Sequence, residues 1–522
     1  MPVLSLGTPG DPCMADDAKP ARRDTDDEHV AVVDLGSNSV RLVVYDRLSR
    51  APFPRFNEKS LCRLGASIDA DGNLGEQAMD AVARAVERFV AIARAMEVGR
   101  IDLLATEAIR RAGNGEAFRR RLEEIAGQSV IILDGDDEAR LAATGVIAGF
   151  HRPSGLAGDL GGGSLEIAEI HVHDVGSGRV SMPLGALVVA GPLAEDRKEA
   201  KRHVDETLRD ALTGVVRGAD FHVVGGGWRA LAKVYLAEHD YPVPVVHGLE
   251  LDPAELRGMA KRLWTMNPED VSSVPGVPGR RASTLPAAAL VMDRVLKHLE
   301  PSRVLFSSLG VREGWLHELL PDDERAFDPL LAGCRQLAAE TARVPAFAAA
   351  LERWTDGLFM GESVEQRRLR IAATLLSDIA WREARDVQAR HVFDRILRFP
   401  FIGITHPERV FLAAAVHARH GSRADDDAMA LLSDDEATRA HVLGTALLLG
   451  HRFSGSVPSI LGHASLDIDA TTVTLAVDEA TSVPDSEAVQ GRLSLLAKAM
   501  GRDGTAVVTR RGNDRTGGAT DE

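Results

Sequence analysis

A chain of 522 residues is too long for one ordinary hydrophobic core, so several domains are expected. Its apolar fraction of 45% and charged fraction of 26% are ordinary for globular proteins, and no apolar run reaches membrane-spanning length. A formal net charge of −16 argues against a sequence-independent nucleic-acid binder, although a polyanionic substrate stays compatible with basic side chains gathered in one groove.

Residues 1–28 are dense in Asp, Pro and Arg and read as a disordered extension. The next segment, 30–45, reads as a hairpin around Asp-Leu-Gly-Ser-Asn-Ser. Residues 76–96 carry apolar positions at helical spacing, and 101–105 form a buried-strand run leading into Thr-Glu-Ala-Ile-Arg-Arg. Arg119, Arg120 and Arg121 fall on an exposed helix face; a short strand at 129–133 precedes a helix beginning near Asp136. This alternation predicts an α/β domain ending near residues 151–155. A second α/β unit opens at 156–170 around Asp-Leu-Gly-Gly-Gly-Ser and includes Val-Val-Gly-Gly-Gly-Trp at 223–228. Further on come a Pro/Gly stretch at 274–279 and a strand at 304–306. Residues 328–450 read as helical, 465–477 as a small sheet, 485–500 as a helix, and the tail beyond 501 as loose. The cysteines Cys13, Cys62 and Cys334 support no disulfide framework and no zinc pattern, which fits a reducing cytoplasm.

The repeated Asp-Leu-Gly-x-x-Ser carries the chemistry. Gly36, Gly161, Gly162 and Gly163 leave backbone amides open to phosphate oxygens. Two such hairpins facing each other would hold a phosphate chain from both sides. Asp34, Asp159 and Glu166 offer carboxylates to a hard cation such as Mg2+. Glu138, in the first turn of a helix, is a candidate general base, with Asp136 and Asp137 expected to raise its pKa. Arg110 and Arg111 follow a strand end, and Arg63, Arg280, Arg281 and Arg312 are further phosphate candidates. No P-loop, His-Glu-x-x-His or Ser-His-Asp pattern is recognisable.

The segments VAVVDLGSNSVRLVVYD, ATEAIRRAGNG, GDDEARLAATGV, GDLGGGSLEIAEI, SMPLGAL and GVREG resemble the exopolyphosphatase / guanosine pentaphosphate phosphohydrolase (Ppx/GppA) family in letters, order and spacing. The resemblance implies an α/β fold: two RNase-H-like domains of the actin/sugar-kinase superfold around a cleft, at residues 29–153 and 154–322. An HD-like all-α domain at 323–450, a small α+β C-terminal domain at 451–508 and a flexible tail at 509–522 would follow. It implies Mg2+-dependent, processive hydrolysis of the terminal phosphoanhydride of inorganic polyphosphate by a cytoplasmic homodimer. Glu138 would be the catalytic glutamate, Asp159, Glu166 and Asp34 the metal or phosphate carboxylates, Gly36, Ser37, Asn38 and Ser39 with Gly161, Gly162, Gly163 and Ser164 the phosphate loops, and Arg110 a phosphate ligand.

The chain departs from the family pattern in three places. Gly225–Trp228 lacks the usual Thr or Ser, Ser283 stands where relatives have an acid, and Ser377-Asp378 replaces the His-Asp pair of an HD site. No independent phosphodiesterase is therefore expected there, although His391, His417 and His420 remain. The rival readings are guanosine pentaphosphate hydrolysis, phosphotransfer to ADP, a non-catalytic polyphosphate or alarmone sensor, and a chaperone-like ATPase.

Overall fold

The computed structural model describes residues 28–479 and 486–510. The disorder expected for 1–28 therefore lies outside the described residues, Glu28 excepted. The first sheet is built from β1 (Val30–Leu35), β2 (Ser39–Tyr45), β3 (Pro54–Leu61), β4 (Arg100–Ala105) and β5 (Val130–Ile132), in the order β3-β2-β1-β4-β5. The second uses β6 (Ser154–Leu160), β7 (Leu165–His171), β8 (Asp174–Met182), β9 (Phe221–Val224) and β11 (Val304–Phe306), in the order β8-β7-β6-β9-β11, with the short β10 (Glu250–Leu251) added at the edge. In both sheets the first three strands are antiparallel and the next two pair parallel. The matched registers of the two Gly-rich motifs thus reflect a duplicated α/β unit.

Helices cover the sheets: α1 (Glu76–Ala95), α2 (Glu107–Arg111), α3 (Gly115–Ala126) and α4 (Gly135–Gly149) follow the first sheet's strands. In the second half they are α5 (Ala186–Glu195), α6 (Arg197–Ala211), α7 (Gly226–Glu238), α8 (Pro253–Thr265), α9 (Pro268–Val271), α10 (Leu285–Leu299) and α11 (Val311–Glu318). With both faces covered, a central strand such as β1 reads as a nearly unbroken apolar run, Val-Ala-Val-Val-Asp-Leu. Helix α4 belongs to both halves. Its Ala143, Val146 and Ile147 pack with Ala157, Ala168 and Ile170 of the second sheet, while Leu141 packs with Val30, Val32 and Leu104 of the first. It crosses α11 so closely that a Cβ on Gly145 would overlap the carbonyl of Gly310, and one on Gly314 the carbonyl of Leu141.

Helices from Pro329 to Ser454 build the C-terminal region, with the sheet β12 (Ala464–Ile468), β13 (Thr472–Asp478) and β14 (Gly504–Arg510). Two expected boundaries need correction. The helix Asp434–Ser454 runs through residue 450, and one apolar cluster joins Leu412 and Leu447 to Leu475 and Leu493. The stretch after 501 is not loose up to Arg510: β14 pairs in parallel with β13, so the tail begins later than 509, and residues 511–522 lie outside the described residues. Alternating small and β-branched residues, Gly-Thr-Ala-Val-Val-Thr, supply that strand.

The C-terminal region is fastened to the end of α4. The Gly149 carbonyl accepts from the Gly403 amide at 2.6 Å and lies 2.9 Å from Nε2 of His247, which satisfies an orphan helix-end acceptor. In this region Ser377 Oγ is 3.0 Å from Nε2 of His451, and Asp378 is committed to Arg343 and Arg419 at 3.3 and 3.1 Å.

Candidate active site

The two Gly-rich hairpins face each other: the position of a Cβ on Gly162 would be 3.8 Å from Cβ of Ser37. They close alike, through Gly36 N–H to Ser39 C=O at 3.2 Å and Gly161 N–H to Ser164 C=O at 3.0 Å. Their other carbonyls are tied away from the cleft. Gly65 donates to Ser37 C=O at 2.7 Å, and Cys62 and Arg63 both donate to Asn38 C=O. In the second hairpin Ala186, Leu187 and Gly185 donate to the carbonyls of Gly161, Gly162 and Gly163 at 3.0–3.1 Å. The amides of Ser37, Asn38, Gly162 and Gly163 then find no acceptor among the described residues, so each hairpin presents free N–H groups, the geometry of an anion cradle. A Cβ on Gly185 would overlap the backbone of Gly162 and Gly163. Gly185→Ala is therefore expected to lower activity at least about tenfold by displacing the second cradle. Steady-state kinetics beside a thermal melt would check that the fold survives.

Glu138 stands in the first turn of α4, whose N-cap Asp134 accepts from Asp137 N–H in a capping box. Burial pushes the Glu138 carboxyl up to about 7; Asp159 and Glu107 push the same way, and Arg110 opposes them. The direction is the one expected, but the cause differs. Asp136 pairs with Arg179 at 2.6 Å and Asp137 with Arg140 at 3.0 Å, so neither acts on Glu138 as anticipated. Arg110 also differs from expectation. Its Nη1 donates to Glu138 Oε1 at 3.2 Å and to the Leu133 carbonyl, and it does not line the cavity between the hairpins. Its position is that of a brace on Glu138.

Asp159 and Glu166 are cross-strand partners on β6 and β7. Burial raises Asp159 to about 6, with Arg229 opposing and Asp34 adding. Glu166 is raised to about 8 by burial and then by Glu138, and accepts from Ser181 Oγ at 2.9 Å. No described side chain donates a hydrogen bond to Asp159. Asp34 pairs with Arg312 at 3.1 Å. Buried carboxylates that repel one another, one of them without a donor, form a donor set that suits a hard cation. Among the described residues no three His, Cys, Asp or Glu side chains converge tightly enough to hold a metal alone. A cation here would draw much of its shell from water and phosphate, the usual case for Mg2+.

Asp34, both hairpins, Glu138, Asp159 and Arg312 line a cavity of about 210 Å3. That is below the roughly 300–1,000 Å3 of typical small-molecule sites. Glu166 is buried and does not line it. An adjoining chamber of about 960 Å3 is lined by Arg41, Lys59, Arg63, Arg229, Lys233, Arg280, Arg281, Arg312 and Arg398 against the single acid Glu313. This is the basic groove that a chain of charge −16 would need for a polyanion. Arg63, Arg280, Arg281 and Arg312 fall where the sequence suggested. Arg41, Lys59 and Arg229 escaped it, although period-two alternation through Ser39, Arg41 and Val43 puts Arg41 on the face of the first cradle.

A duplicated α/β unit, with one five-stranded and one six-stranded sheet and opposed Gly-rich hairpins, fits an actin/sugar-kinase-like fold. More specifically, the chain belongs to the Ppx/GppA phosphatase family, whose model matches residues 43–323; the model of the exopolyphosphatase C-terminal domain matches 330–507. Exopolyphosphatase 1 of Mycobacterium leprae is 28% identical over 298 residues, covering 55% of this chain and 87% of the relative. Retrograde regulation protein 2 of Saccharomyces cerevisiae is 29% identical over 341 residues, 59% of this chain; the match spans 58% of the yeast protein's length. The crystal structure of the Aquifex aeolicus family member superimposes with a TM-score of 0.50 at 25% identity, over 56% of this chain and 97% of that one. An exopolyphosphatase from Cytophaga hutchinsonii gives 0.51 at 22% identity, over 56% and 97%, a likeness of fold. Among the described residues no helix is long and apolar enough to cross a membrane.

Proposed function

We propose that this protein is an exopolyphosphatase, hydrolysing the terminal phosphoanhydride of inorganic polyphosphate and releasing orthophosphate with a divalent cation such as Mg2+. The observation that carries this reading is the pairing of a small, amide-lined cavity with a large cationic chamber. A chain end fits the first and the rest of a polyanion fits the second. The amides of Ser37, Asn38, Gly162 and Gly163 hold the terminal phosphoryl oxygens. Glu138, braced by Arg110, orients a water and takes its proton as the water oxygen bonds to the terminal phosphorus. The bridging P–O bond breaks, and its electron pair leaves on the shortened chain. A cation held by Asp159, with water and phosphate completing its shell and Glu166 adding charge from behind, would neutralise phosphate charge during transfer. The chamber's positive field keeps the shortened polymer bound for the next cut, which makes the reaction processive.

The chamber also has an apolar wall that includes Phe53, Val245, Phe401 and Ile402, which favours guanosine pentaphosphate as a second reading because a nucleoside has a surface to rest on. The regulatory name of the yeast relative supports a sensor as the alternative outside catalysis. Orthophosphate release from long-chain polyphosphate and from guanosine pentaphosphate, side by side with Mg2+, is the test. Higher kcat/KM on polyphosphate is expected; higher kcat/KM on the nucleotide would move the assignment, and release from neither would leave the sensor. Raising salt is expected to increase KM for polyphosphate steeply, since the chamber acts through unscreened charge. A salt-independent KM would contradict the chamber's role.

A further inference from the structure

Two helices that present site residues are locked to each other. Helix α4 carries Glu138 in its first turn, and α11 carries Arg312, which pairs with Asp34 at 3.1 Å. Their close crossing at Gly145 and Gly314 leaves α4 no slack in which to bend. Gly149, the last residue of α4, lies eleven residues beyond Glu138, roughly 16 Å along the helix axis. A displacement of that end is therefore carried to Glu138.

His247 holds that end. Its Nε2–H donates to the Gly149 carbonyl at 2.9 Å, and its Nδ1 accepts from the Ser308 amide at 3.3 Å. Ser308 stands two residues before Gly310, the N-cap of α11. One imidazole thus spans the exit of α4 and the entry of α11. The two partners require a ring with one donor and one acceptor, which is the neutral form. Burial keeps it neutral by lowering its pKa to about 4. The ring packs on Phe150 with centroids 4.9 Å apart, and a Cβ on Gly149 would stand only 3.0 Å from its Cε1. His247 borders the chamber, yet it is 4% exposed and both ring nitrogens are spent, so it has no polar side-chain atom left for a ligand.

The C-terminal region holds His247 in turn. Nε2–H of His406 donates to the His247 carbonyl at 3.2 Å, and its Nδ1 accepts from the Tyr241 hydroxyl at 3.2 Å. His406 is buried and opens the helix His406–Ala418. The loop just before that helix supplies the Gly403 amide, the second donor to Gly149.

We propose that His247 is a positioning residue for the reaction: it fixes the far end of α4 against the start of α11, so sets Glu138 against the phosphate cradles, and through His406 ties turnover to the seating of the C-terminal region. The proposal rests on the hydrolase reading and deepens it.

The test is steady-state orthophosphate release from long-chain polyphosphate with Mg2+ by full-length His247→Phe, His247→Gln and His406→Phe, each checked for folding by circular dichroism and a thermal melt. Phe keeps a ring beside Phe150 and loses both hydrogen bonds; Gln keeps a donor that reaches Gly149. His247→Phe is expected to lower kcat at least about tenfold, because a small misplacement of a base is costly, and to leave KM within about twofold, because the cradles and the chamber's cations are untouched. Its kcat/KM inflection should move to lower pH than in wild type, since a loosened first turn wets Glu138 and burial is the main cause that raises it. His247→Gln should recover most of kcat and the wild-type inflection. His406→Phe should lower kcat in the same direction by about threefold. A folded His247→Phe with unchanged kcat, or with its loss confined to KM, overturns the positioning role. So does a loss of kcat that leaves the inflection in place or that Gln does not restore. Should His247→Phe fail to fold, His406→Phe decides by the same kcat and inflection. Wild type that releases no orthophosphate overturns the hydrolase reading; active wild type beside unaffected variants overturns this proposal alone.

Discussion

Glu138→Gln is expected to cut orthophosphate release at least about a hundredfold while polyphosphate stays bound. Gln has the shape of Glu and can still accept from Arg110, so the helix end and the cavity wall stay in place; what disappears is the ability to take a proton from water. The environment of Glu138 suits that task. Burial holds the free carboxyl near 7, close to the operating pH, where a base combines a useful ionised fraction with real proton affinity. kcat/KM is therefore expected to rise with pH through about 7 and then level, with any bound cation drawing the inflection lower. Arg110→Ala removes the charge that opposes burial and should move the inflection to higher pH. A Glu138→Gln enzyme retaining more than about a tenth of wild-type turnover would remove Glu138 from the chemistry.

Glu166→Gln is expected to abolish most activity and yet stabilise the protein at alkaline pH. The folded-state carboxyl titrates near 8 against an ordinary 4.5. Between those values the folded protein holds a proton that the unfolded chain has released. Stability from this group is complete below about pH 4.5 and is lost as pH rises through about 8. Glu138 and Asp159, raised to about 7 and 6, act in the same direction over lower windows. Without divalent cation the melting temperature should therefore fall from about pH 6 to about pH 9. Glu166→Gln keeps an acceptor for Ser181 and removes one of these charges, for a gain on the order of a few kcal/mol at the alkaline end. Added Mg2+ should recover part of the wild-type loss by binding the folded state, and less in the variant. A variant less stable than wild type at about pH 9 would show that Glu166 is not held against its charge.

Much of the site was legible because its parts are local. Asp-Leu-Gly-x-x-Ser encodes strand, turn and strand within six residues, and both copies fold as hairpins at the expected positions. A helix was expected to begin near Asp136, which put Glu138 in a first turn, and it opens at Gly135. What stayed hidden depends on partners far along the chain. Strand β3, Pro-Arg-Phe-Asn-Glu-Lys-Ser-Leu, is a polar, partly exposed edge strand with no apolar alternation, so neither it nor Lys59 stood out. Strand β8 is rich in Gly and Ser and was missed for the same reason. Arg110 follows a strand end like a ligand residue, yet it turns toward Glu138, which its own neighbourhood does not reveal. The pKa of Glu138 was assigned to adjacent acids, whereas burial between the two halves sets it.

Product analysis of long-chain polyphosphate incubated with the protein and Mg2+ tests the central claim most directly. Phosphorus NMR would follow small products, and gel electrophoresis the remaining polymer. The small cavity and cationic chamber predict orthophosphate as the one small product, with uncut chains staying long until they are consumed. Internal fragments of intermediate length, or no orthophosphate at all, would contradict it.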